Sequence, residues 1–126
     1  RTINKKSSRA ICGLSMGGFH SLHISKEYPD MFDYVGLFSA AILPGNNTES
    51  PIYKDMDKKL KTQFSKNPKL YWIAIGKTDF LYDANQDYRK TLDENGYKYT
   101  YYETGEGHIW KNWRIYLSEF APQLFK

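Results

Sequence analysis

The sequence predicts an α/β fold built on a mostly parallel sheet, and three observations carry that expectation. Short runs of β-branched and aromatic residues alternate with amphipathic stretches along the chain. One run, Leu70 to Ile75, is nearly all apolar, as a strand covered on both faces should be. A glycine-rich turn, Gly13-Leu14-Ser15-Met16-Gly17-Gly18, joins the first run to the first amphipathic stretch.

Four βα units follow in order. The first strand covers about Arg9 to Cys12 and runs into the glycine-rich turn. A helix from about Gly17 to Tyr28 carries Phe19 and Leu22 on one face, and Pro29 limits it because the residue before a proline disfavours helical backbone. Tyr34 to Phe38 forms the second strand, and Pro44 to Ser50 is turn-forming. Met56, Leu60 and Phe64 recur at i, i+4, i+8 between lysines, which marks an inserted amphipathic helix. The third strand, Leu70 to Ile75, ends at Gly76, and a loop from Lys77 to Tyr82 follows. Ala84, Tyr88 and Leu92 make the stripe of the next helix, which Asn95-Gly96 stops before a last strand over Tyr97 to Glu103. Trp110, Trp113, Leu117 and Phe120 trace a closing helix that Pro122 disturbs.

Composition bounds the rest. A chain of 126 residues fits one domain, and 40 % hydrophobic with 17 % aromatic residues excludes a disordered tail. No apolar run reaches the roughly 18–20 residues that span a bilayer, so no membrane-spanning helix is expected. The net charge of +4 draws on lysines at 54, 58, 59, 61, 66 and 69, but Asp55, Asp57, Leu60 and Phe64 are interleaved with them. A solvated helix face, and not a nucleic-acid stripe, is the expectation. The single cysteine, Cys12, makes no intrachain disulfide and supplies no metal-ligand set. The chain opens Arg-Thr-Ile without Met or a leader pattern, so a processed or truncated chain is expected.

Gly13-Leu14-Ser15-Met16-Gly17 is a G-x-S-x-G sequence between a strand and a helix. In a nucleophile elbow the chain turns so sharply that small residues are needed on both sides, and the serine oxygen is lifted above the sheet at a helix N-terminus. The pattern arises by chance in roughly 4 % of chains this long, so a glycine-rich turn with an N-capping serine stays open on the motif alone. A serine hydroxyl needs a histidine base and an acid to orient it, in the order Ser, Asp, His. Asp79 lies just past strand three and His108 just past strand four, so all three fall at the strand ends where sites of parallel sheets form. His20 and His23 have no third ligand at a zinc spacing, so no metal site is expected. Asp83 competes with Asp79 for the acid role. It stands before Ala84 with Gln86 three residues on, which explains it as a helix N-cap, whereas Asp79 has no such local duty. Glu106 is a further alternative for the acid. Asn46-Asn47-Thr48 matches a glycosylation sequon too short to carry weight. Trp110 and Trp113 stand where they could border an aromatic or sugar substrate, with spacing that favours core packing for at least one.

Gly13-Leu14-Ser15-Met16-Gly17-Gly18-Phe19, Tyr28-Pro29-Asp30-Met31-Phe32, Asp79-Phe80-Leu81-Tyr82 and Gly107-His108-Ile109-Trp110 together resemble the "Putative esterase" family of α/β-hydrolases. That family includes esterase D, enterochelin esterases, mycolyl transferases and the feruloyl and acetyl esterase domains found beside xylanases. His108-x-Trp110-x-x-Trp113-Arg114 points to the feruloyl-esterase-like group. The resemblance implies a three-layer α/β-hydrolase fold of which residues 1–126 are the C-terminal half, from the nucleophile strand onward. It implies Ser15 as nucleophile, His108 as base, Asp79 as acid and the Met16 backbone N–H in the oxyanion hole. No cofactor is implied. The activity implied is ester hydrolysis, on feruloyl or acetyl esters of a plant polysaccharide such as xylan. The runner-up keeps the same triad for acyl transfer or a siderophore ester, and a non-catalytic carbohydrate-binding scaffold is the alternative of another class. A periplasmic or secreted location follows from the resemblance alone. The second oxyanion-hole amide would come from an upstream half, so the chain alone is expected to be nearly inactive. It is also expected to pair through its exposed sheet edge with that half or a second copy.

Overall fold

Strands and helices alternate in the expected order. The structure, a computed structural model, describes residues 2–42 and 50–126. Strand β1 (Ala10–Leu14) leads into α1 (Met16–Glu27), and β2 (Tyr34–Phe38) precedes α2 (Met56–Ser65). Strand β3 (Leu70–Gly76) is followed by α3 (Tyr82–Glu94), and β4 (Thr100–Thr104) by α4 (Trp110–Phe120). The turn and sequon expected over residues 44–49 lie outside the described residues.

The sheet runs β1-β2-β3-β4, every pair parallel. Leu14 is level with Phe38, Phe38 with Ala74, and Gly76 with Thr104, so the four strands end along one edge. All of β2 and all of β3 after Leu70 are buried, because helices cover both faces. On one face Leu22 of α1, Leu60 and Phe64 of α2, and Tyr88 and Leu92 of α3 pack on Val35, Leu37 and Ile73. On the other, Tyr116 and Phe120 of α4 pack on Phe38, Trp72 and Ala74.

Several boundaries differ from the sequence reading, each for a local reason. β1 continues to Leu14 and α1 starts at Met16, because the whole turn is made at Ser15. β4 starts at Thr100: Tyr97 is held instead by its N–H to Leu92 O (2.9 Å) and a parallel stack on Phe64 (4.5 Å). α3 begins at Tyr82 with Leu81 as its N-cap, so Asp83 is not a cap. It sits exposed in the first turn, where its negative charge meets the positive end of the helix dipole and is weakly stabilising. α4 is rotated from its expected stripe. Leu117 is 53 % exposed, while Asn112 and Tyr116 turn inward because their polar atoms bond Gly107 O and Thr104 Oγ1. The Ala121–Gln123 turn after it fits Pro122 as a helix breaker.

Among the described residues β1 is an edge strand, and it reads Ala-Ile-Cys-Gly-Leu, with no charge and no proline, and Cys12 exposed. The opposite edge, β4, carries Glu103, which pairs with Lys77 (3.8 Å) and accepts from Tyr82 and Tyr101.

His20 lies at the surface, and His23 is 5 % exposed, its ring 4.5 Å from Phe19 and perpendicular to Tyr53. Burial first, then the Lys26 charge, lowers the His23 pKa from 6.5 to about 4. The native state therefore stays unprotonated at this site while the unfolded chain takes up a proton below 6.5. Stability is full above pH 6.5 and falls as the pH drops toward 4, by on the order of 3 kcal/mol. His23→Leu should flatten that part of the pH dependence in urea unfolding at pH 7 and 4.5. An unchanged slope would refute it.

Candidate active site

Ser15 is set by backbone that few residues tolerate. It has φ 54 and ψ −115, outside the ordinary regions for a side-chain-bearing residue. Its N–H donates to Phe38 O (2.9 Å), and its carbonyl accepts from Phe19 N (3.1 Å) and Ala41 N (2.9 Å). A Cβ at Gly13 would lie 2.3 Å from the Gly17 carbonyl, and one at Gly18 would lie 2.6 Å from Ala40 Cβ. A Cβ at Gly17 would meet no described atom within 4 Å. The close approaches that the tight turn demands thus fall on Gly13 and Gly18, and not on both glycines of the G-x-S-x-G pattern.

Asp79 follows β3, its N–H donating to Gly76 O (3.1 Å). One carboxylate oxygen, Oδ1, accepts from Leu81 N (2.9 Å), so Asp79 does have a local duty: it closes the turn that starts α3. The other, Oδ2, lies 2.9 Å from His108 Nδ1, and the carboxylate is wholly buried. His108 follows β4 on a loop pressed against the end of β3; a Cβ at Gly76 would stand 1.6 Å from Glu106 O. Asn112 Nδ2 donates to Gly107 O (2.8 Å) and fixes that loop from α4. His108 Nε2 lies 3.0 Å from Ser15 Oγ, and its side chain is 20 % exposed.

The fold brings Ser15, His108 and Asp79 into one hydrogen-bonded line from three different strand ends. Asp83 is not in that line, and Glu106 is committed at the surface to Lys111 (2.7 Å). The Met16 N–H heads α1 beside Ser15, where first-turn amides have no acceptor within the helix. Trp110 is 63 % exposed and stands perpendicular to Trp113 at 5.1 Å. Two aromatic rings flank the imidazole: Trp113, which the sequence reading placed at a substrate border or in the core, at 4.9 Å, and Phe80, to which it gave no role, 77 % exposed and also at 4.9 Å. The only signal for Phe80 was its place directly after Asp79. Among the described residues no three His, Cys, Asp or Glu side chains are grouped to hold a metal. A cleft of about 600 Å³ lined by Leu22, His23, Tyr53 and Tyr88 lies between α1, α2 and α3 and includes none of the three site residues.

The chain matches the "Putative esterase" family over residues 1–124. It belongs to that esterase family. An acetyl esterase of Caldicellulosiruptor saccharolyticus is 28 % identical over 142 aligned residues, covering 90 % of this chain and 53 % of the relative. The solved structure of a ferulic acid esterase superposes with a TM-score of 0.82 at 25 % identity, over 97 % of this chain and 52 % of its own. A ferulic acid esterase of the anaerobic fungus Anaeromyces mucronatus gives 0.77 at 26 % identity, over 98 % of this chain and 46 % of its own. The fold is that of the α/β-hydrolase esterases, and the chain spans about half the length of these family members.

Proposed function

We propose that this chain carries the catalytic triad of a serine carboxylic-ester hydrolase: Ser15 the nucleophile, His108 the base and Asp79 the acid. The carrying observation is the unbroken line Asp79 Oδ2, His108 Nδ1 and Nε2, Ser15 Oγ, with steps of 2.9 and 3.0 Å. Ser15 Oγ attacks the ester carbonyl while Nε2 takes its proton, and the Met16 N–H faces the oxyanion that forms. His108 returns the proton to the leaving alcohol. Water, activated by the same nitrogen, then cleaves the acyl-enzyme. Asp79 holds the ring with Nδ1 protonated and stabilises the imidazolium.

The reading extends to feruloyl or acetyl esters of plant polysaccharide such as xylan. Its support is the acetyl esterase and ferulic acid esterase relatives, together with two exposed aromatics: Phe80, in contact with His108, and Trp110, which packs on Trp113, itself in contact with His108. Aromatic faces left open to water beside a reactive centre suit a planar acyl group or a sugar ring. In the full-length protein, a fluorophosphonate probe should label Ser15, mapped by peptide mass spectrometry. Methyl ferulate or acetylated xylan should turn over ahead of a siderophore ester. An unlabelled Ser15 would sink the triad, and turnover of the siderophore ester alone would sink the substrate class.

We also read residues 1–126 as the C-terminal half of one esterase domain whose β1 takes a strand partner. A preceding segment of the polypeptide or a second copy could supply it. The support is the bare apolar edge of β1, which lacks the charges and prolines that keep edge strands unpaired. The 126-residue chain alone should then scatter light as a dimer or larger species and hydrolyse esters poorly. A stable monomer, or full activity, would overturn this.

A further inference from the structure

We propose that Trp113 is a positioning residue for the His108 imidazole, acting through its hydrogen bond to Ser39. The inference rests on the triad reading above. From α4, Trp113 Nε1 donates to Ser39 Oγ at 3.1 Å, while its ring stands edge-to-face against His108 at 4.9 Å and 87°. Ser39 is itself fixed to the nucleophile's surroundings. It is fully buried, its N–H donates to Ala74 O (2.8 Å), and its neighbours Phe38 and Ala41 bond the backbone of Ser15 (2.9 Å each). The indole therefore bridges the segment that holds the nucleophile and the ring that must reach it. Asp79 and Ser15 hold the two nitrogens in the ring's own plane, and exposed Phe80 packs at 4.9 Å, but in-plane bonds alone leave the ring free to tilt about the line that joins them. The edge-to-face contact with Trp113 opposes that tilt.

Two observations separate this from plain packing. A buried phenyl ring would fill the space as well, but only tryptophan brings an indole N–H, and here that donor is satisfied by a side chain and not by the nearest backbone. Ser39 also stands at φ 46, a left-handed conformation that a serine adopts at a cost, and its hydroxyl is the acceptor Trp113 uses.

The test uses Trp113→Phe, Ser39→Ala and the double variant in the full-length protein. Each single change should lower kcat about 10- to 100-fold on an aryl ester with KM little altered, and slow fluorophosphonate labelling of Ser15 in proportion. Because one bond is removed either way, the double variant should be no slower than the worse single one. The downfield proton resonance of His108 Nδ1 should broaden in all three. Parental kcat in Trp113→Phe, or losses that multiply in the double variant, would overturn the inference. If Trp113→Phe fails to fold, Ser39→Ala breaks the same bond with a smaller change and decides alone. A parent that does not label at Ser15 overturns the triad and this inference together, whereas a labelled parent with unaffected variants overturns this inference only.

Discussion

Ser15→Ala should lower kcat for an activated aryl ester in the full-length protein by about a million-fold, to the level left by binding and oxyanion contacts alone. Alanine keeps the Cβ, and with it the backbone at φ 54, so the loss reports the missing oxygen and not a rebuilt turn. Its N–H to Phe38 and its carbonyl to Phe19 and Ala41 persist, since none involves the side chain. The thermal midpoint should stay within a few degrees of the parent, about what a surface-sized change in stability produces. Turnover undiminished in Ser15→Ala, with folding intact by circular dichroism, would remove the serine mechanism.

Asp79→Asn should cost about 10⁴-fold in kcat with little loss of stability. The amide oxygen of asparagine can still accept from Leu81 N, so the turn into α3 survives. The amide nitrogen would then face His108 Nδ1, which has to become an acceptor, and the ring proton moves to Nε2. That proton points at Ser15 Oγ, 3.0 Å from Nε2, where the mechanism needs a lone pair. Asp83→Ala serves as the control. Asp83 is exposed and bonds no cap, so its removal should leave turnover unchanged and stability within about 0.5 kcal/mol. A loss of turnover in Asp83→Ala matching that of Asp79→Asn would undo the assignment.

The sequence exposes the parts of this site that depend on chain order. Ser15, Asp79 and His108 each lie in the turn or loop that leaves the C-terminal end of a strand, and a parallel sheet brings those ends to one edge whatever the side chains between them do. The central strands were equally legible, since Leu70 to Ile75 has no charged residue to turn outward. What escaped depends on how helices rotate. In α4 the inward face is set by Asn112 and Tyr116, polar residues that find partners on the loop and strand below, so apolar periodicity pointed to Leu117 instead. That rotation is also what lays Trp113 on His108. Asp83 was misread because the helix starts two residues earlier, at Tyr82, on a turn closed by the Asp79 carboxylate. One carboxylate thus serves both the imidazole and the helix start, a double use that no spacing rule reveals.

The backbone of Ser15 sets a limit on how stable this chain can become. A residue with a side chain at φ 54 and ψ −115 costs on the order of 1–3 kcal/mol, a sizeable share of the margin by which a domain outweighs its unfolded state. Glycine would relieve most of that strain and delete the reactive oxygen in the same step. Selection for thermal tolerance alone would therefore drift toward Ser15→Gly and an inert fold, whereas selection for turnover holds the chain below its own stability optimum. A library screened first for heat resistance and afterwards for ester cleavage would lose its best catalysts at the first sieve.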